Sequence, residues 1–305
     1  MCQACRRQTL DGKWQKIGSN MSTEKTVGLQ ALLAIMEKLR NPETGCPWDL
    51  AQRFDTLVPF TIEEAFEVAE VIEHHDLSHL PDELGDLLFQ VVFYCQLGKE
   101  QGLFDFATVV ERISAKLIRR HPHVFGAMQD EFAANGAKSE LNTQALNAAW
   151  ENAKALERQQ KQLFSVLDDI PQALPALTRS LKIQKRVAKV GFDWPNLAPV
   201  VAKIHEEIDE VMVEARLLES DPETYLSKVK DEMGDLLFAV VNLARHLGVD
   251  PESALRQGNH KFEQRFRGVE ALADASGKSM EAHSLEELDG YWDQVKARLK
   301  AAHKE

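Results

Sequence analysis

The 305-residue sequence has no apolar run near the ~18 residues that a membrane-crossing helix requires, which excludes a helical membrane protein. Its opening residues lack the apolar core of a signal peptide. Thiols are scarce: the four cysteines are Cys2, Cys5, Cys46 and Cys95. Cys2 and Cys5 form one C-x-x-C with no second pair to complete a zinc site. Together these absences lead to the expectation of a reducing cytoplasm. Positive charge is also short, with 36 Lys and Arg against 48 Asp and Glu, a net charge of −12. Non-specific binding to nucleic acid or to an anionic membrane needs a surplus of cations and is not expected. A small anion, held by local cations or a bridging metal, remains compatible. The glycine-rich phosphate loops G-x-x-x-x-G-K-S/T and G-x-G-x-x-G are missing, and no Ser-His-Asp or Cys-His arrangement stands out. Nor is there strand-like alternation, so the fold class is all-α.

What the chain does have is amphipathic helices punctuated by proline and glycine. Residues 1–25 are polar and unpatterned, a leader expected to be disordered. Thr26 to Arg40 reads as a helix ended by Asn-Pro-Glu-Thr-Gly, followed by the loop Cys46-Pro-Trp-Asp49. Pro59 is expected to open a helix over 60–76, and Pro81 another over 81–102. A helix over 106–120 is stopped by Pro122. Residues 126–142 read as a connection and 143–162 as a further helix. Then the pattern restarts: a proline-punctuated linker at 168–177, a helix over 177–190, the loop Gly191-Phe-Asp-Trp-Pro195 and four more helices.

The restart is an internal repeat. Glu63, Glu64 and Glu67 match Glu206, Glu207 and Glu210 at an offset of 143 residues. Glu83 and Asp86 match Glu232 and Asp235 at 149, within ELGDLLFQVV against EMGDLLFAVV, which differ at two positions. Lys116 and Arg120 match Lys261 and Arg265; Trp150 and Lys154 match Trp292 and Lys296. The expected organisation is therefore two tandem helical bundles, 26–165 and 166–305.

Carboxylates three and four residues apart share a helix face, and stacked like charges destabilise an isolated helix. A bound divalent cation would offset that repulsion. E-E-x-x-E on one helix and E-x-x-D on the next can bring several carboxylate oxygens to one point, which suits a hard cation such as Mg²⁺. Paired cations at Lys261/Arg265 and Lys116/Arg120 are what a polyphosphate needs opposite its metal. A lone cluster of this kind is most simply a solvated face; recurrence with the same partners favours a metal-dependent phosphate site. His121 and His123 flank Pro122 but have no counterpart in the second repeat, which favours a structural role for them.

With these motifs in place, the sequence resembles the MazG family in its long, two-repeat form. The resemblance covers about residues 26–303 and is carried by CPWD, DELGDLLFQVVF, RRHPHVF, GFDW and EEIDEV. It implies an all-α fold, a homodimer, and Mg²⁺ dependence with Mn²⁺ as a possible substitute. The implied activity is attack of water on the α-phosphorus of an NTP or dNTP, giving the monophosphate and pyrophosphate, as nucleotide house-cleaning. Carried over by motif, the metal ligands are Glu207, Glu210, Glu232 and Asp235, with Glu206 beside them. Lys203, Lys261, Arg265 and Trp292 would contact the nucleotide, with Lys296, one turn after Trp292, expected beside them. The first repeat offers a second possible site at Glu63, Glu64, Glu67, Glu83, Asp86, Lys116 and Arg120. It has Phe60 where the second has Lys203, and Phe93 where the second has Asn242. The C-terminal repeat is therefore expected to be the main catalytic one, with Glu210→Ala abolishing hydrolysis and Glu67→Ala leaving most of it. Two other readings remain: a dUTP or phosphoribosyl-ATP pyrophosphohydrolase on the same scaffold, and a non-catalytic metal-binding adaptor.

Overall fold

The structure is a computed structural model that describes residues 28–126, 157–159, 162–218 and 220–302. All regular structure among the described residues is helical. The chain forms two compact units, Met1–Ala153 and Lys154–Glu305. Trp150, Lys154, the leader with Cys2 and Cys5, and the connection expected at 126–142 beyond Gly126 lie outside the described residues, as does nearly all of the helix expected at 143–162.

In the N-terminal unit the helices are α1 (Leu29–Leu39), α2 (Pro47–Ala51), α3 (Phe54–Glu73), α4 (Leu80–Glu100), α5 (Phe106–Arg120) and α6 (Pro122–Phe125). Two places differ from the sequence reading: Cys46-Pro-Trp-Asp49, read as a loop, caps and opens the short helix α2, with Pro47 at its first position, and α3 starts earlier than expected. Pro59 lies inside α3, not at its opening. The helix begins at Phe54 because Thr56 Oγ1 accepts the Arg53 backbone N–H at 2.8 Å and ties down the first turn. Pro59 then forfeits one N–H in the second turn, where the loss is confined to a single bond. Pro122 ends α5 as expected and starts α6 at its own first position. His121 Nδ1 lies 2.7 Å from the Leu117 carbonyl, so it donates there and closes the end of α5.

The core of this unit is Met36, Leu57, Val92, Phe93 and Leu97, surrounded by Trp48, Phe54, Phe60, Phe89 and Tyr94. Apolar residues at the helical spacing 89, 92/93 and 97 turn one face of α4 towards α1 and α3. Arg40 is buried beside this core and donates to both oxygens of Glu100, at 2.8 and 2.6 Å. A two-pronged pair of this kind satisfies the guanidinium that α1 carries into the interior.

The C-terminal unit contains α7 (Ala176–Ala188), α8 (Leu197–Leu218), α9 (Pro222–His246), α10 (Pro251–Ala275) and α11 (Leu285–Ala302). The short connection makes α8 and α9 an antiparallel hairpin, the most extensive helix contact in this unit. Asp221 fixes where α9 starts by accepting the Thr224 N–H at 3.2 Å, with Pro222 in the first turn. Asp250 does the same for α10 through the Ser253 N–H at 2.9 Å. Gly268 allows α10 and α11 to approach closely: a Cβ there would stand 2.7 Å from Val295 Cγ1.

Candidate active site

Helix periodicity decides which acidic residues of E-E-x-x-E face the neighbouring helix. On α8, Val200, Lys203 and Glu207 recur at the i, i+3, i+7 spacing, and Val200 and Glu207 are buried against the hairpin partner. Glu206 is rotated outwards and exposed. On α9 the facing stripe is Glu232, Asp235, Phe238/Ala239, Asn242 and Arg245.

Glu207, Glu210 and Glu232 each bring a carboxylate oxygen to within 4.8 Å of the others. Glu207 is only 3% exposed, and its Oε2 is buried with no hydrogen-bond partner among the described residues. Its Oε1 is 2.6 Å from Lys203 Nζ, which also lies 2.9 Å from Glu206 Oε1. These two carboxylates raise the Lys203 pKa, so the ammonium is held firmly charged. Partial desolvation and the charges of Glu207 and Glu232 raise the Glu210 carboxyl, against the opposing pull of Lys203. A buried carboxylate oxygen without a donor, inside a crowd of like charges, is a position that a cation stabilises.

The matching group in the first unit is Glu64, Glu83 and Asp86. Burial raises the Glu64 carboxyl to about 7, assisted by a hydrogen bond with Glu67 and the charge of Asp86. The folded pKa thus lies above the ordinary glutamate value of 4.5. The proton it retains favours the folded state below pH 4.5, and that contribution disappears as pH rises to about 7. In metal-free protein, the melting temperature of the N-terminal unit should therefore fall between pH 5 and pH 8 by more in the wild type than in Glu64→Gln. Equal falls in a thermal-unfolding series would contradict this.

Of the metal ligands carried over by motif, Glu207, Glu210 and Glu232 come together, while Asp235 stands beside them on the wall of an adjoining cleft. In the first unit Asp86 joins the group and Glu67 borders it. Glu63 is exposed, and Lys116 and Arg120 stand on α5, which buries none of its residues.

The adjoining cleft, 530 Å³ in volume, is lined by Lys203, Glu207 and Asp235 at one end and by Phe192, Trp194 and Asn242 among others. The loop GFDW supplies the aromatic wall. It is pinned by Asp193, whose carboxyl is paired with Arg245 of α9 and is held below the usual range chiefly by that guanidinium. Lys261, Arg265, Trp292 and Lys296 do not line this cleft. They stand on α10 and α11, which pack mainly on each other: Phe262 and Trp292 are 5.2 Å apart, and the Arg265 guanidinium sits 5.6 Å over the Trp292 ring. In the first unit, Phe60 and Phe93 occupy the places of Lys203 and Asn242 and are packed into the core, with Trp48 edge-on to Phe60 at 5.7 Å.

The model of the MazG nucleotide pyrophosphohydrolase domain matches the chain twice, over residues 52–125 and 197–269, so each match contains one of the two carboxylate groups. The chain is 52% identical over 268 residues to the nucleoside triphosphate pyrophosphohydrolase of Escherichia coli strain K12, covering 88% of this chain and 97% of that one. The chain belongs to the MazG family. A relative in Thermotoga maritima, named nucleoside triphosphate pyrophosphohydrolase/pyrophosphatase MazG, is 40% identical over 273 residues and covered to 97%. Bacillus subtilis YabN is 38% identical over 265 residues, but those span only 50% of its length. Alignments over 88% and 90% of this MazG protein take in both of its repeats.

Proposed function

We propose that this MazG protein hydrolyses nucleoside triphosphates, NTP or dNTP, to the nucleoside monophosphate and pyrophosphate, and in that way removes unwanted nucleotides from the pool. One observation carries this reading. The buried Glu207 Oε2, without a hydrogen-bond partner among the described residues, belongs to a three-carboxylate group that adjoins a 530 Å³ cleft. Relatives of full length bear the name nucleoside triphosphate pyrophosphohydrolase, in agreement with it.

Glu207, Glu210 and Glu232 would hold a divalent cation, with Asp235 completing the set; all-oxygen ligation suits Mg²⁺, and Mn²⁺ is the expected substitute. Bound there, the cation supplies an oriented, acidified water and neutralises charge on phosphoryl oxygens. Glu206 and Glu207 keep Lys203 charged at the mouth of the cleft, where it faces the phosphates. Arg265 carries a buried Nε without a hydrogen-bond partner among the described residues; with Lys261 and Lys296 it is suited to a pyrophosphate leaving group. Trp292 belongs with them.

A homodimer fits the same picture. Large apolar residues stand exposed along α8 (Ile208, Met212), α9 (Met233, Leu237, Val240) and α10 (Leu255, Phe262, Phe266). Apolar surface at this density on three adjacent helices is better explained by a second copy than by solvent. The expected location is the cytoplasm, where the nucleotide pool is; no helix among the described residues is long and apolar enough to cross a membrane.

The reading is tested with a panel of triphosphates and Mg²⁺. Pyrophosphate should appear, EDTA should stop its release, and excess Mg²⁺ should restore it. Release that continues at full rate in EDTA would overturn the metal assignment.

A further inference from the structure

The cleft has a second end that phosphate chemistry does not use. Asn242 follows Asp235 by two helical turns on α9, roughly 10 Å at 1.5 Å per residue. That is about the reach from an α-phosphate to the edge of its base.

Gln184, on α7, closes this end. It is 4% exposed, and its Nε2 donates to the Phe238 carbonyl at 2.8 Å. Because a carbonyl accepts only a donor, this bond fixes the orientation of the amide, and the other atom is Oε1. Gln184 Oε1 is buried without a hydrogen-bond partner among the described residues, and Gln184 lines the cleft. Such an acceptor is costly to leave unmet. One turn beyond Phe238, Asn242 Oδ1 accepts from Arg245 Nε at 2.9 Å, which leaves its Nδ2 as a donor on the same wall. Phe192 and Trp194 contribute aromatic faces. An acceptor and a donor beside aromatic planes are what recognition of an unpaired nucleobase requires.

We propose that Gln184 Oε1 accepts a hydrogen bond from the exocyclic amine of the substrate's base, which makes Gln184 a specificity-determining residue of the C-terminal site. This rests on the nucleotide reading of the cleft. The first repeat supports the assignment by contrast. Aligning Leu33 and Ile35 with Leu181 and Ile183 sets Met36 against Gln184, and Phe93 already matches Asn242. Met36 and Phe93 are both fully buried in an apolar core, so neither of these two matched positions offers an amide to a base.

The test compares ATP with purine riboside triphosphate, which differs only in lacking the amine, the sole N–H donor of the adenine ring. In the wild type, kcat/KM should fall about tenfold or more when the amine is removed, because the buried acceptor is left unmet. In Gln184→Met the two compounds should be hydrolysed within about twofold of each other, with the loss on ATP appearing mainly in KM. Equal efficiency on both compounds in the wild type would sink the assignment, and needs no variant to fold. A wild-type ratio that persists in Gln184→Met would sink it too. No pyrophosphate from either compound would instead remove the nucleotide reading on which it rests.

Discussion

Glu207→Gln is expected to lower pyrophosphate release on the order of a thousandfold, while Glu64→Gln keeps most of the activity. The two residues occupy matching places in the repeat and are equally buried, each 3% exposed. What differs is what they open onto. Beside Glu207 lie Lys203, Asp235, Asn242 and a 530 Å³ cleft. Beside Glu64 the corresponding places are filled by Phe60 and Phe93, both part of the core packing. The N-terminal carboxylate group thus lacks the counterparts of Lys203 and Asn242, the polar wall that would seat a nucleotide at the C-terminal site. Gln keeps the shape of Glu and removes one charge, so the loss in Glu207→Gln reports on cation holding and not on packing. The Glu210→Ala and Glu67→Ala pair should behave in the same way. Comparable losses from Glu207→Gln and Glu64→Gln in a steady-state assay would mean that both repeats turn over substrate.

Phe93→Ala should destabilise the N-terminal unit by about 3–5 kcal/mol, the range for deleting a fully buried phenyl ring. Phe93 is 0% exposed and sits at the centre of its cluster. Phe89 meets it edge-to-face at 5.8 Å, and the Arg40 guanidinium lies 5.5 Å from its ring centre. The ring therefore supports both the apolar packing and the buried Arg40 guanidinium, whose partner Glu100 is more exposed, and its removal leaves a cavity beside a charge. Chemical denaturation followed by circular dichroism would measure the change. A loss below ~1 kcal/mol would show that the place of Asn242 in this unit is not a packing position, and would weaken the argument that the first repeat has exchanged its cleft for a core.

The repeat was legible in the sequence because its acidic residues and the surrounding apolar pattern recur together, and two such copies are hard to explain as solvated faces. Family membership followed from the same motifs. The start of α3 was not legible: Pro59 reads as a first-turn residue, and only the Thr56 bond to Arg53 shows that the helix has already begun. Which glutamates of E-E-x-x-E turn inwards also depends on how α8 is rotated against α9, and this separates the buried Glu207 from the exposed Glu206. Gln184 was invisible for a related reason. In the polar stretch Lys182-Ile-Gln-Lys-Arg186 it looks like any exposed glutamine, and its burial is set by the contact of α7 with α9. Lys261, Arg265 and Trp292 were matched by motif as nucleotide contacts, but spacing along a chain does not say how far α10 stands from the cleft.

Water should attack the α-phosphorus of the triphosphate, and do so at the C-terminal site. Hydrolysis of ATP with Mg²⁺ in ¹⁸O-labelled water, with the products separated and weighed, tests it most directly. Label should appear in AMP, with unlabelled pyrophosphate in equal amount, and both should vanish in Glu207→Gln. Label in inorganic phosphate alongside ADP, or label in pyrophosphate, would contradict the account.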